Sequence, residues 1–352
     1  MITHMKCVDQ ITMRTLSDFL YHYAFRLRRP VMIWGVMGVG KSDGVRQFAA
    51  RINALLIDVR LGTWESIDLR GMPDVDREKQ TSRWLRPEAL PFKGNEGLFP
   101  TDRPIILFLD EINGAQRGTS GAAYQLVRDL KVGEHELMDN VIVIAAGNRE
   151  SDKGVTERQP APLSNRFIHV EVVPSVSDTN SYIIQRKLPV EMTAFLSWQP
   201  DMICTFDAAK NEKAFATPRS IIEALEDYID PDTPEELKWI GFGGRVGRGW
   251  AASYRGFLTV YAEMRDMMPQ IMQYPDTAPI PGTPDKAYAI ATNIGGQMTK
   301  ANVSSLWRYV KRLNVEFCIL AWQLAMKLDD TIDQTPEFIE YGALHRATLQ
   351  GI

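Results

Sequence analysis

Short, nearly continuous apolar runs recur along the first half of the chain. They are rich in Val, Ile, Leu or Phe and do not alternate with polar residues, which is typical of strands buried on both faces of a parallel sheet. Apolar residues at helical spacing lie between several runs, most clearly over 41–52 and 114–130. Alternating strands and helices predict a doubly wound α/β domain over residues 1–175. The predicted strands are Val31–Trp34, Leu55–Val59, Ile105–Leu109, Val141–Ala145 and Phe167–Val170.

The pattern changes after Pro174. Residues 177–263 predict several helices and no strand, and one helix is expected to begin at Thr217-Pro218. The glycine-rich stretch 241–250 lacks the spacing of a dinucleotide-binding loop, so we interpret it as a helix–helix turn. Five prolines in 268–285 predict an extended linker or surface strap. The expected parts of this half are a helical lid (176–265), a proline-rich linker (266–287) and a C-terminal helical extension (288–352).

The composition excludes some classes of protein but does not indicate a function. The 352 residues are 45% apolar and 24% charged with a formal charge of −4, so bulk charge does not indicate a polyanion-binding protein. Three cysteines lie far apart, which fits a reducing compartment and argues against a disulfide framework or a zinc ribbon. The sequence shows neither a signal-peptide core nor an apolar run long enough to span a bilayer. We therefore expect a soluble cytoplasmic protein.

The strongest motif is the loop directly behind the first predicted strand. Residues 35–42, GVMGVGKS, match G-x-x-x-x-G-K-[ST] at every specified position and open a predicted helix. The surrounding glycines, including Gly44, are interpreted as bare backbone that wraps a phosphate chain. Lys41 would supply the charge for the β- and γ-phosphates, and the Ser42 hydroxyl would bind Mg²⁺. The predicted nucleotide-binding residues are Gly35, Gly38, Val39, Gly40, Lys41, Ser42 and Asp43.

A second motif supplies the carboxylates that such a loop needs. In IILFLDE (105–111), five apolar residues end in Asp110 and Glu111. Asp110 would hold Mg²⁺ through water, and Glu111 would polarise the attacking water. The alternative for Glu111 is a solvated carboxylate at a strand end, and the alternative for the loop is a glycine turn with a chance lysine. The two motifs together predict a nucleoside-triphosphate site with hydrolytic parts.

Beyond these motifs the sequence resembles the AAA+ superfamily of ATPases and, within it, the MoxR-like group. The resemblance covers about residues 28–225 and extends toward 265. Residues 110–150 carry the family's order of parts: an acidic strand end, a helix, a charged hairpin around Lys131–Asp139, and a strand that ends in the polar Asn148. The resemblance implies an α/β P-loop NTPase (AAA+) core that uses ATP and Mg²⁺.

Three further site residues follow from the resemblance alone. Asn148 matches the sensor 1 position, where its amide would position water; the alternative is an asparagine that caps a turn. Arg166 matches the arginine finger that is presented to a neighbouring subunit, with Arg158 as a substitute; the alternative is a structural salt bridge. Arg219 matches sensor 2 at the start of a lid helix; the alternative is an ordinary arginine in the first helical turn.

The region 62–99 resembles an insertion that faces the central channel of the ring in MoxR-like proteins. Trp64, Arg83 and Trp84 would face that channel or pack inside the domain, and the usual burial of large aromatic residues favours packing.

The resemblance also implies partners. It predicts a homo-oligomer, most often a six-subunit ring, that acts on a client or adaptor protein, possibly one with a von Willebrand factor A-type domain. Action on nucleic acid is the less favoured alternative, and a nucleotide-gated scaffold without turnover is a third hypothesis. No membrane partner is expected.

Overall fold

The computed structural model describes residues 8–149, 152, 165–210 and 212–345. These residues form two compact units. Unit 1 comprises the described residues up to Pro174 and a short segment that begins at Asp207, and unit 2 comprises the remainder. The domain limits of the sequence analysis stay predictions.

Unit 1 is built on a six-stranded parallel sheet with the strand order β1-β10-β2-β9-β6-β3. Two antiparallel hairpins, β4-β5 and β7-β8, accompany the sheet. In chain order the strands are β1 (Gln10–Ile11), β2 (Val31–Trp34), β3 (Leu55–Arg60), β4 (Met72–Asp76), β5 (Thr81–Leu85), β6 (Ile105–Asp110), β7 (Lys131–Val132), β8 (His135–Glu136), β9 (Val141–Gly147) and β10 (Ile168–Val172).

The central strands explain the continuous apolar runs in the sequence. Every residue of β6 and β9 is buried, because both are interior strands of the sheet. All five predicted strands are present in unit 1. β1 was not predicted, since two residues are too few to show a periodicity. The fold class is confirmed: a doubly wound α/β core is followed by a helical part.

Helices separate the strands of unit 1 and position the loops at the strand ends. The helix predicted over 114–130 is present as a helix of 13 residues that begins at Arg117, three residues later than expected. The helices are α1 (Met13–Leu20), which continues as a π-helical turn over Tyr21–Arg26, α2 (Lys41–Arg51), α3 (Ser66–Arg70) and α4 (Arg117–Asp129). Short 3₁₀ turns lie at Leu61–Thr63 and Ile112–Gly114.

The β4-β5 hairpin corrects one expectation. Trp84 is 40% exposed, and the neighbouring Met72 and Val75 are more exposed still. Arg83 is also exposed and pairs with Asp74 on the opposite strand at 3.0 Å. The preference for packing is therefore wrong for Trp84 and Arg83, because a two-stranded ribbon offers little interior in which to bury them. Trp64, by contrast, packs partly buried against the core of unit 1.

Unit 2 is helical throughout its described residues. The predicted start at Thr217-Pro218 is correct: Thr217 Oγ1 accepts from the backbone N–H of Ser220, and Ser220 Oγ accepts from that of Thr217. Its helices are α5 (Val176–Gln185), α6 (Glu191–Trp198), α7 (Pro218–Tyr228), α8 (Glu235–Val246), α9 (Arg248–Asp266), α10 (Met268–Gln273), α11 (Pro284–Gln297), α12 (Val303–Val310), α13 (Val315–Leu328) and α14 (Pro336–Leu344).

Two local predictions in unit 2 need correction. The glycine-rich stretch 241–250 is mostly helical, and the turn between α8 and α9 is confined to Gly247, whose φ is +97°. The proline-rich stretch is not an extended linker: it opens with α10, and Ala278 is buried. Tyr309 Oη donates to the Pro279 carbonyl at 2.8 Å, so hydrogen bonds to the following helices hold this segment in place.

One continuous apolar core runs through unit 2 and includes residues from Ile183 to Tyr341. Close helix packing inside it depends on Gly295 in α11. A β-carbon at Gly295 would lie 2.5 Å from the Ala321 carbonyl oxygen of α13. Helices α11 and α13 therefore approach each other at a distance that only glycine permits.

We expect Gly295→Ala to lower the free energy of unfolding by about 1–3 kcal/mol, because the added methyl group overpacks the α11–α13 contact. Gly296→Ala is the matched control: a methyl group there meets no atom within 4 Å, and alanine is the better helix former. Thermal unfolding followed by circular dichroism would compare the two. Equal melting temperatures would contradict the packing assigned to Gly295.

In the described parts of the chain, no helix combines the length and the apolar character that a membrane crossing requires.

Candidate functional site

The sheet order brings the two sequence motifs together. β2 lies beside β9, β9 lies beside β6, and all three strands run parallel. Their carboxyl ends consequently share one edge of the sheet, where α/β proteins commonly bind ligands. The loop after β2, the acidic pair Asp110 and Glu111, and Asn148 all lie at this edge.

The loop after β2 has the backbone of an anion-binding nest. Gly38 and Gly40 adopt φ angles of +74° and +102°, which other residues rarely adopt. Helix α2 begins at Lys41, and its N-cap residue Gly40 has no side chain with which to cap the first N–H groups. Uncapped N–H groups at a helix start are well suited to bind phosphate oxygens.

Two of the four glycines have a packing role that the sequence interpretation missed. Gly35 has an extended backbone, and a β-carbon there would lie 2.6 Å from the Val172 carbonyl oxygen on β10. A β-carbon at Gly44 would lie 2.7 Å from both Leu16 and Met13 of α1. These two glycines let neighbouring elements approach the loop. The interpretation as phosphate-wrapping backbone stays a prediction, and the positive φ angles of Gly38 and Gly40 agree with it.

Two further residues of the predicted nucleotide set, Val39 and Asp43, would contribute through the backbone only. The side chain of Val39 is buried. The side chain of Asp43 is exposed and pairs with Arg46 one turn along α2. Neither side chain is placed to specify a ligand.

Lys41 is a buried lysine whose ammonium group lies over the loop. Its Nζ donates to the carbonyl oxygens of Gly35 at 2.8 Å and Val36 at 3.2 Å. It also donates to Asn148 Oδ1 at 3.0 Å, a contact between residues 107 positions apart. The structure therefore joins the loop to the predicted sensor position through one cation.

The predicted metal-binding residues are also in contact. Ser42 Oγ donates to Asp110 Oδ2 at 2.7 Å, and the backbone N–H of Glu111 donates to Asp110 Oδ1 at 2.9 Å. Glu111 itself is exposed and adopts φ +54°, a left-handed conformation that is uncommon outside glycine. Such strain at a strand end is frequent in functional sites.

A second carboxyl group, that of Asp58, lies close to Asp110. The parallel register places Arg60 of β3 opposite Asp110, with Asp58 two residues earlier on the same strand. Burial raises the pKa of Asp58, and the negative charge of Asp110 raises it further, against the opposing effects of Arg60 and Arg46. Asp58 is a neighbour of the site that sequence reasoning missed.

This oxygen-rich corner fits Mg²⁺. The ion prefers carboxylate and hydroxyl oxygens and usually takes its remaining ligands from water and substrate phosphates. Ser42 and Asp110 supply such oxygens side by side. Among the described residues, no cluster of three or more His, Cys, Asp or Glu side chains is arranged to hold a metal ion.

Asn113 is the second neighbour of the site that the sequence analysis missed. It lies in the 3₁₀ turn after Glu111 and is 6% exposed. Its side chain bonds to both backbone groups of Asn148. The signal in the sequence was a polar residue three positions after Asp110, next to the apolar Ile112.

Among the predicted arginines, Arg166 lies away from this cluster within unit 1. Arg166 is exposed and precedes β10, whose first residue pairs with Val31 at the start of β2, so it lies at the opposite edge of the sheet from Lys41. Arg219 is exposed in the first turn of α7 in unit 2. Arg158 lies outside the described residues.

No protein-family model matches the chain, and no curated protein does either. The chain is similar to a solved RuvB variant from Thermotoga maritima, with 16% identity and a TM-score of 0.37 over 81% of this chain and 83% of that one. It is also similar to NtrX from Brucella abortus in complex with ADP, with 16% identity and a TM-score of 0.35 over 96% of this chain and 68% of that one. At this level of similarity, neither neighbour indicates a function for this chain.

Proposed function

We propose that the protein is a Mg²⁺-dependent ATPase of the AAA+ class that works as an oligomeric ring. The observation that carries the proposal is the convergence of Lys41, Asn148, Ser42 and Asp110 at one edge of the sheet. Two hydrogen bonds, of 3.0 and 2.7 Å, connect side chains of the loop to side chains that follow β9 and end β6. A chance glycine turn would not bring these groups together.

The residues divide the chemistry in a specific way. The loop N–H groups and Lys41 bind the phosphates and neutralise their charge. Glu111 polarises the attacking water, and the Asn148 amide orients that water, since it can both donate and accept. Ser42 and Asp110 would hold Mg²⁺, which supplies charge stabilisation to the phosphates when bound.

The position of Arg166 supports an oligomer. Because Arg166 lies at the edge of the sheet opposite its own phosphate loop, a catalytic role would require the phosphate of a neighbouring subunit. The resemblance to AAA+ proteins suggests a six-subunit ring and assigns Arg219 to sensor 2 in the helical lid. In such a ring, nucleotide turnover moves the lid relative to the α/β core and performs mechanical work.

The proposed target of this mechanical work is a partner protein, as the MoxR-like resemblance suggests. Proteins with a von Willebrand factor A-type domain are the expected class of partner. The rival partner is nucleic acid, which the formal charge of −4 does not favour. ATP turnover measured with and without double-stranded DNA separates these alternatives. Strong stimulation of ATP turnover by DNA would indicate that the partner is nucleic acid and not a client protein.

Glu111→Gln is expected to keep ATP binding and to lower kcat by about 10²- to 10⁴-fold, the usual contribution of a general base. The amide keeps the shape of the side chain but cannot accept the proton from water. Phosphate release and the affinity for a fluorescent ATP analogue would be measured on the same preparation. Glu96→Gln, at an exposed glutamate of unit 1 that bonds to the Gly94 N–H, is the matched control and should leave kcat unchanged.

Full turnover by the Glu111→Gln variant would contradict the role of Glu111. A chain that binds ATP but never hydrolyses it, whether or not Glu111 is changed, would support the non-catalytic scaffold instead. The inactive variant loaded with ATP would also serve to retain a client.

A further inference from the structure

Asn113 makes an unusual pair of contacts with one residue. Its side-chain Nδ2 donates to the Asn148 carbonyl oxygen at 2.8 Å, and its Oδ1 accepts from the Asn148 backbone N–H at 3.3 Å. The side-chain amide thus pairs with the backbone of Asn148 as a neighbouring strand would. Asn113 is almost fully buried, so water does not compete strongly for these bonds.

Gly147 provides the space for this contact. A β-carbon at Gly147 would lie 2.8 Å from Asn113 Oδ1 and 2.9 Å from the end of the Met32 side chain. The last residue of β9 therefore has no side chain at the point where the Asn113 amide approaches. A buried asparagine and an adjoining glycine together fix the end of β9.

The two ends of this contact are both parts of the proposed reaction centre. Asn148 Oδ1 accepts from Lys41 Nζ at 3.0 Å. Asn113 belongs to the turn that the Gly114 N–H to Glu111 carbonyl bond closes at 2.8 Å. Asn113 is thus part of the turn that carries Glu111, and it is the hydrogen-bonding partner of the residue that contacts Lys41.

We propose that Asn113 is a positioning residue, anchored in the Glu111 turn, that holds the Asn148 side chain in one fixed geometry for hydrolysis. This inference rests on the proposed ATPase function. Asn113 acts through Asn148 and does not touch the nucleotide. Its loss leaves phosphate binding by the loop and Lys41 in place and disturbs the alignment of the groups that act on water.

The test compares two variants of Asn113 with a matched control. Asn113→Ala removes both bonds. Asn113→Asp keeps the size and the acceptor but loses the donor, and sets a carboxylate oxygen against the Asn148 carbonyl. The control is Asn95→Ala: Asn95 is equally buried in unit 1 and holds the carbonyl oxygens of Pro87 and Leu90.

Both Asn113 variants are expected to lower kcat by about 10²-fold, the cost of misplacing reacting groups by about 1 Å, with ATP affinity close to that of the unaltered chain. Asn95→Ala is expected to leave kcat unchanged. Melting temperatures show whether each variant is folded. Asn113→Asp is nearly isosteric, so it keeps the test decisive where the alanine variant does not fold.

A double variant separates positioning from general stability. If Asn113 acts through Asn148, then Asn113→Ala combined with Asn148→Ala is no slower than Asn148→Ala alone. Three results would each overturn the positioning role. The first is a double variant whose loss of kcat is the product of the two single losses. The others are an unchanged kcat in the folded Asn113 variants and a loss of ATP affinity equal to the loss of kcat. If the unaltered chain itself shows no ATP turnover, the proposed function fails. If the unaltered chain hydrolyses ATP and only the Asn113 predictions fail, the positioning role alone is overturned.

Discussion

Lys41→Ala is expected to abolish nucleotide binding. Lys41 is the buried cation of the phosphate loop, and its Nζ lies among the Gly35 and Val36 carbonyl oxygens and the Asn148 amide. Hydrogen bonds to charged groups contribute about 1.5–3 kcal/mol each. The loss of two such bonds to phosphate would weaken ATP binding by about 10²- to 10⁴-fold. Titration with a fluorescent ATP analogue measures this change directly.

The control is Lys93→Ala, which removes an exposed lysine of unit 1 that pairs with Glu136 at 3.1 Å and Asp139 at 3.0 Å. It should bind ATP as the unaltered chain does. Because Lys41 also holds loop carbonyls, the melting temperature of the Lys41→Ala variant must accompany the titration. Retained binding by a folded variant would contradict the assignment of the loop.

Arg166→Ala is expected to leave ATP binding largely intact and to lower kcat by about 10³-fold or more, the usual contribution of an arginine finger. The guanidinium would stabilise charge that develops on the phosphate of the neighbouring subunit, so its loss affects the transition state rather than the bound nucleotide. Steady-state turnover together with nucleotide affinity shows this split.

A structural salt bridge is the competing explanation, and Asp129 is an acidic residue within electrostatic reach of Arg166. The hydrogen bond from Arg128 lowers the pKa of Asp129, and the charges of Lys131 and Arg166 add to this lowering. If the only role of Arg166 were an ion pair with Asp129, Arg166→Lys would retain activity, and Asp129→Ala would lower kcat as much as Arg166→Ala does. A trans role predicts the reverse for both, because lysine lacks the planar fork of arginine.

Mixing experiments test the trans geometry. Subunits with Arg166→Ala keep Glu111, and subunits with Glu111→Gln keep Arg166. Mixed assemblies should therefore regain part of the activity that each variant lacks alone. No recovery in assemblies shown to be mixed would contradict a finger that acts between subunits.

The sheet was predictable from the sequence because its strands are buried on both faces. The runs at β2, β6 and β9 are continuous apolar stretches, and the structure places all three inside the sheet. The β4-β5 hairpin shows no such run, since most of its residues are exposed and carry mixed polarity. Strands that bury little leave no hydrophobic pattern to detect.

The motif residues of the site were predictable for a different reason. Glycine, lysine and serine at fixed spacing follow from the geometry of one local loop. The packing of Gly35 against Val172 and the contact of Asn113 with Asn148 join segments far apart in the chain. Sequence spacing contains no information about such pairs, so only the three-dimensional structure reveals them.

The single core of unit 2 bears on how this protein can be shortened. Phe195 of α6 and Tyr254 of α9 belong to the same apolar cluster as Trp307 of α12 and Trp322 of α13. A chain cut after α9 would leave aromatic faces of α6 and α9 without their cover and open to water. The last helices are therefore not a detachable appendage, and any truncated version of this chain would have to keep them to avoid exposing that core.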